Sequence, residues 1–170
     1  MNDLAFEKAK IEDLDTVLDL FKEAAEQLEA KGNNQWQRWL NPTPQYLARV
    51  TRDLTAEAFF LVKKADTTVG MFRLMPSDEE YWGKTDDVAI YLHSFVTKPA
   101  FAGQGIGSEV LKMVEKQLQE QGIPLFRLDC KADNEPLCAY YVRNGFTPIR
   151  LQKMPHYTVQ LLEKKVNFNL

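Results

Sequence analysis

The chain has 170 residues, a net charge of −3, 45% hydrophobic and 26% charged residues. That is enough for one domain with a sizeable core, and the slightly acidic, mixed charge excludes a protein built mainly to grip nucleic acid. No apolar run approaches the ~20 residues of a membrane helix, and the polar start is no signal peptide, so a cytoplasmic protein without membrane partners is expected.

Residues 4–10 (LAFEKAK) read as a short strand. Asp13 is expected to cap a helix whose apolar face is Leu14, Val17, Leu18, Phe21, Ala25 and Leu28, ended by Gly32. A loop over 33–43 carries Trp36 and Trp39. Thr43 and Pro44 read as N-cap and first residue of a helix reaching Asp53. Residues 58–64 and 69–75 form a hairpin about the turn 65–68, and 76–87 is a polar loop holding Tyr81 and Trp82. The long apolar stretch 88–97 (VAIYLHSFVT) reads as a central strand, ended by Pro99.

Next comes AFAGQGIGSEVL, three glycines at alternate positions and then a helix to Gln121, stopped by Gly122. A strand follows over 125–130; strand, helix, strand implies a right-handed crossover and a parallel pair. A helix over 136–144, ended by Gly145, and strands over 146–151 and 157–166 close the chain. There is no repeat or linker. The expectation is one α+β domain over 1–170, an antiparallel meander that becomes locally parallel around the glycine loop.

Cys130 and Cys138, with His93 and His156, have no zinc-site spacing, and two cysteines make no disulfide framework. No metal site is expected, and the thiols read as reduced and partly buried.

The glycine loop carries the chemistry. Glycines let backbone N–H groups approach an anion, and a helix N-terminus adds partial positive charge. Gly103, Gly105 and Gly107 precede the helix face Val110, Leu111, Val114 and Leu118, the context a pyrophosphate needs. A Walker loop ends in Gly-Lys-Ser/Thr, whereas Gly107-Ser108-Glu109 has no lysine. A dinucleotide fingerprint needs a sixth-position glycine where Ser108 stands, although Asp129 sits at the distance of its acidic partner. A dinucleotide-dependent oxidoreductase stays as a rival reading on that partial match, and a tight turn that binds nothing is the bland one.

Downstream, Asn134 is followed seven residues later by Tyr141 and then by Gly145-Phe146. This resembles the closing motif of the GNAT N-acetyltransferase superfamily, as SFVTKPAFAGQGIGSEVL resembles its acetyl-CoA pyrophosphate loop and LFRLDC its splayed strand. The resemblance covers roughly residues 88–147, and the tryptophans with YLHSFVT point to a bacterial subgroup of unassigned acceptor. It implies a GNAT fold: a mixed central sheet with an antiparallel N-terminal meander, a parallel pair splayed at the acetyl-CoA site, and flanking helices. It implies acetyl transfer from acetyl-CoA, as co-substrate, to a primary amine of a small molecule or peptide. Homodimers are common in the family, and a homodimer is compatible with the reading. A non-catalytic acyl-CoA-binding module of the same fold is the rival within it, because Ala102 stands where the family usually has Arg or Gln.

The resemblance assigns the cofactor to Phe95, Val96, Gly103, Gln104, Gly105, Ile106, Gly107, Ser108 and Asn134, with Gln104 or Lys98 replacing the contact absent at Ala102. Asn134 also reads as a helix cap. Tyr141 matches the family's general acid, protonating the departing sulfur. His93, on the central strand, is the candidate general base, since imidazole titrates near neutrality; Glu79, Glu80 and Asp129 are alternatives. Trp36, Trp39, Tyr81 and Trp82 are candidates to rim the acceptor slot, although aromatics are more often core.

Overall fold

A computed structural model of the chain describes residues 3–169. The expected domain ran over 1–170, so residues 1, 2 and 170 lie outside the described part. Among the described residues seven strands are formed: β1 (Leu4–Lys8), β2 (Phe59–Lys64), β3 (Thr67–Met75), β4 (Ala89–Thr97), β5 (Leu125–Lys131), β6 (Thr147–Lys153) and β7 (Thr158–Lys165). The helices are α1 (Leu14–Ala30), α2 (Pro44–Thr55), α3 (Glu79–Trp82), α4 (Ile106–Glu120) and α5 (Glu135–Arg143). Strand order is β1-β2-β3-β4-β5-β7-β6. The β4–β5 pair is parallel, and β1–β2, β2–β3, β5–β7 and β6–β7 are antiparallel. The expected α+β fold with a mixed sheet is what forms; the doubly wound parallel sheet of a dinucleotide enzyme is not.

The chain divides into two compact units, one of residues up to Arg73 with Ser94–Val110, the other of Leu74–His93 with Leu111 onward. In the first, α1 and α2 supply Val17, Leu20, Phe21, Ala25, Val50 and Leu54 to a buried cluster with Phe59, Leu61, Met71 and Val96 of the strands. Thr43 accepts from the Tyr46 N–H, as a cap should. Asp13 differs from expectation: it closes a short 3-10 turn, and its carboxylate accepts from the Lys10 N–H at 2.8 Å instead of capping α1.

Gly70 of β3 faces β4 within this unit. The Lys98 N–H donates to the Val69 carbonyl at 2.8 Å, and a Cβ on Gly70 would overlap the Val96 carbonyl oxygen. Backbone cannot swing aside as a side-chain tip can. Gly70→Ala should therefore cost about 1–3 kcal/mol, the usual penalty of overpacking. A thermal melt checks this, and an unchanged midpoint would mean that β4 yields freely there.

In the second unit β5 is buried on both sides through Phe126, Arg127, Leu128 and Cys130, as a central strand should be. Edge strand β6 is largely exposed and carries Pro148. The loop predicted over 76–87 contains the short helix α3, too short to show a helical period. Helix α5 ends at Gly145, whose φ is +92°. There the Gly145 N–H reaches the Val142 carbonyl and the Phe146 N–H reaches the Tyr141 carbonyl. This is a Schellman ending, which needs glycine at that position and favours an apolar contact between the residues it joins. Tyr141 and Phe146 make that contact, with ring centroids 5.9 Å apart. The spacing of Tyr141, Gly145 and Phe146 thus has a local physical cause.

Candidate active site

The first unit carries the loop. Within β4, Ser94 has φ 52°. A left-handed non-glycine residue inside a strand is a local backbone strain of the kind often found beside functional sites. Val96, 6% exposed, turns its side chain into the core cluster, so it can offer a ligand only backbone groups; Phe95 is half-buried. A 3-10 turn, Pro99–Phe101, leads to the exposed residues 102–105.

Gly103 and Gly105 have φ of +77° and +75°, and a Cβ on either would meet nothing within 4 Å. Glycine is required there by backbone conformation and not by crowding. The Glu109 N–H makes its bond to the Gly105 carbonyl. The amides of Ile106 and Gly107 consequently lie in the first turn of α4, where the helix itself supplies no acceptor. Ile106 is buried and anchors this turn, and Gly107 belongs to the helix, not to the loop. Ala102 and Gln104 are exposed beside these amides. Such a turn can hold a phosphate by backbone donors and the helix dipole.

Trp36 and Trp39 also belong to the first unit. Trp39 is buried and stacked on Phe21 at 3.9 Å; Trp36, half-buried, meets the same ring edge-on at 5.7 Å. Both pack against the hydrophobic cluster.

The second unit brings His93, Asp78 and Asp129 together. Pairing of β4 with β5 runs from Ala89–Leu125 to Tyr91–Arg127, while both strands continue beyond it. His93 and Asp129 lie in the continuations, with Nδ1 3.9 Å from the Asp129 Oδ2. On the other side of the ring, Nε2 is 3.1 Å from Oδ2 of Asp78. Asp78 caps α3, its Oδ1 accepting from the Tyr81 N–H at 3.2 Å. Its Oδ2 is buried and has no well-directed hydrogen bond, so the His93 contact is an ion-pair approach off the ideal line.

Asp78, His93 and Asp129 could each offer a ligand atom within 4.8 Å of the others, a spacing a cation could use. The two carboxylates, however, face opposite ring nitrogens. One lone pair cannot point at both; a neutral imidazole donates its one N–H to a single carboxylate and keeps the lone pair of its other nitrogen to accept a proton. Sequence reasoning named His93 and Asp129 but missed Asp78, whose only signal was its place before Glu79-Glu80 in a capping position.

Tyr141 is 7% exposed, and its phenol is pushed well above the ordinary tyrosine value, chiefly by burial and then by the neighbouring Cys130. Asn134 caps α5, its Oδ1 accepting from the Leu137 N–H at 3.2 Å, which leaves its amide donors for another partner. Tyr81 is half-buried and shares a 2.6 Å hydrogen bond with the Tyr157 hydroxyl; burial and that bond raise its pKa. Trp82 is buried against Tyr91, with the Arg127 guanidinium 4.6 Å from its ring centroid.

Among the described residues, no helix is long and apolar enough to cross a membrane. The profile of the acetyltransferase (GNAT) family matches residues 18–146, a span that runs through both units. A curated relative, the uncharacterized N-acetyltransferase YesJ of Bacillus subtilis (strain 168), is 32% identical over 143 residues, 81% of this chain and 78% of that protein. A GNAT-family acetyltransferase from Listeria monocytogenes has a similar structure, with TM-score 0.79 and 24% identity over 95% of this chain and 94% of that one. The PaiA N-acetyltransferase from Thermoplasma acidophilum, solved in complex with coenzyme A, gives TM-score 0.60 and 19% identity over 95% and 98% of the two chains.

Proposed function

We propose, from the premise that the chain belongs to the GNAT acetyltransferase family, that it transfers acetyl from acetyl-CoA to a primary amine of a small molecule or peptide. The observation that carries this reading is the left-handed Gly103 and Gly105 leading into the first turn of α4. That turn has donors for a pyrophosphate and no side chain in their way. The family match, running through both units, supports treating the chain as one acetyltransferase domain.

When bound, the co-substrate would supply a thioester carbon open to attack by a neutral amine. The chain must orient it, accept the amine's proton and return one to the leaving sulfur. Gly103, Gln104 and Gly105 of the loop and Ile106, Gly107 and Ser108 of the first turn of α4 are assigned to the pyrophosphate, with Ile106 and Gly107 acting through backbone amides. Phe95 and Val96 are assigned to the pantetheine arm as an added strand would bind, by backbone hydrogen bonds. Asn134 is assigned to the co-substrate through its amide donors. Tyr141 is assigned as the acid by its place in the family's closing motif: its phenol carries a proton at neutral pH, and the burial that raises its pKa makes it a weaker donor, so position and not pKa supports the role. His93 is the base.

Of the four aromatics proposed for the acceptor, the burial of Trp39 and Trp82 leaves Trp36 and Tyr81 as those with surface to offer. The proposed cytoplasmic location is supported by the lack of a long apolar helix among the described residues, and the proposed homodimer rests on the family alone.

Calorimetric titration with coenzyme A tests the loop. Gly105→Val forces a β-branched residue into a left-handed conformation costing ~1–2 kcal/mol, so the loop should relax away from its present shape. With open space around the position, the fold should survive. Affinity should fall about tenfold or more, since 1.4 kcal/mol is a factor of ten. Unchanged affinity in a folded variant would remove the loop from the cofactor site.

The base is tested by pH. If His93 accepts the proton, kcat/KM for one acceptor of known pKa should rise with pH along a limb that moves or vanishes in His93→Gln. An identical midpoint in both proteins would return His93 to a structural role.

A further inference from the structure

We propose that Cys130 and Cys138 form a dithiol site which a peroxide oxidises to an intramolecular disulfide. Cys130 lies on β5 and Cys138 on α5, eight residues apart, with their Sγ atoms at 2.8 Å. Both thiols are free. The sulfurs are already closer than non-bonded packing requires, and a disulfide bond of about 2.05 Å needs less than an ångström of further approach.

Their backbones are held in place independently of the sulfurs. The Ala132 N–H donates to the Thr158 carbonyl at 2.9 Å, the Asn134 N–H to Lys131 at 3.0 Å, and the Cys138 N–H to Asn134 at 3.1 Å. The strand end, the turn and the first turn of α5 therefore present the two thiols to each other. Neither thiol has a place in the acetyl-transfer chemistry described above, and the inference does not depend on that reading.

The two cysteines differ in a way that orders the chemistry. Cys130 is buried, and its thiol is pushed up first by burial and then by its contact with Cys138. Cys138 is the more accessible of the two. The Cys138 thiolate attacks one oxygen of hydrogen peroxide; the S–O bond forms, the O–O bond breaks, and the hydroxide released becomes water on protonation. Cys130 Sγ then attacks the Cys138 sulfur. The S–S bond forms, the S–O bond breaks, and the departing hydroxide takes the Cys130 proton as a second water. Two thiols lose two electrons and the peroxide gains them.

The bond would form on a particular face of α5. Asn134, Cys138 and Tyr141 are spaced four and three residues apart, so they share one side of the helix. Asn134 caps this helix and Tyr141 is buried in its last turn.

The test uses the intact wild-type protein. It is treated with hydrogen peroxide, quenched, unfolded and alkylated, then weighed by mass spectrometry. The expected result is a chain lighter by two hydrogens with neither cysteine alkylated, running as a monomer on a non-reducing gel, and regaining both alkylation sites after dithiothreitol. Cys138→Ser should lose its remaining thiol to peroxide severalfold more slowly than wild type. Cys130→Ser should stop at a sulfenic acid that dimedone traps. Full alkylation after peroxide, addition of oxygen without reversible loss of thiols, or a disulfide between two chains would each overturn the proposal. Should a variant fold poorly, the wild-type mass and its reversal decide alone.

Discussion

Tyr141→Phe should reduce turnover by ~10²–10⁴, the range general acid catalysis contributes, while acetyl-CoA affinity stays within a few-fold. The substitution is well suited to the question because the ring has a separate structural task. Tyr141 is three residues from the end of α5 and packs on Phe146 through the Schellman ending at Gly145. Phenylalanine keeps that contact and removes only the hydroxyl. A phenol is protonated at neutral pH, and in the variant nothing at that position can deliver a proton. The melting temperature should be measured beside the rate, since a stable variant with lost turnover isolates the proton. Wild-type turnover with a competent acceptor would show that Tyr141 serves packing alone.

Arg127→Met should destabilise the protein by about 3 kcal/mol. Arg127 is 6% exposed on β5 and donates to Glu163 at 2.7 Å, the Tyr91 hydroxyl at 2.9 Å and Asp87 at 2.6 Å. Removing one partner of a buried ion pair typically costs ~3–5 kcal/mol, because the other charge is left without compensation. The low end applies because the Asp87 side chain is 50% exposed and water can take over its charge. For a chain of this size the midpoint should fall by roughly 6–12 °C. Adding Glu163→Gln should recover part of the loss, since the stranded carboxylate is then neutral. A single variant melting like wild type would mean that Met packs as well as the guanidinium does.

The same network has a pH signature. The hydrogen bond from Arg127 holds the Asp87 carboxyl below the usual carboxylate range. A depressed folded-state pKa gives stability that is present above the unfolded value, near 4, and is lost as pH falls through the folded value. The acid limb of the stability curve should therefore flatten in Asp87→Asn.

These partners explain what the sequence could and could not disclose. The helices and strands were legible because Val17, Phe21 and Ala25 keep a helical period and glycines 32, 122 and 145 stand at helix ends. The loop was legible because a left-handed conformation leaves few residue types other than glycine. Arg127 was invisible as a hub: it sits in an apolar run, and its acidic partners are 36 and 40 residues away. Asp78 was missed for a related reason, since its approach to His93 depends on α3, a helix of four residues. Ser94 gives no hint of its left-handed backbone, because serine carries no preference for φ 52°. Trp39 and Trp82 drew attention by lying in loops, yet burial of large apolar surface governs where they go.

The central claim is acetyl transfer to an amine, and the most direct measurement is amine-dependent release of coenzyme A thiol from acetyl-CoA. Purified protein is incubated with acetyl-CoA and a panel of small amines and peptide N-termini, following free thiol and product mass together. At least one amine should raise thiol release well above the hydrolysis background and gain one acetyl group, with both signals reduced in Tyr141→Phe. Tight binding of acetyl-CoA without release for any amine class would contradict it and favour a non-catalytic acyl-CoA-binding module.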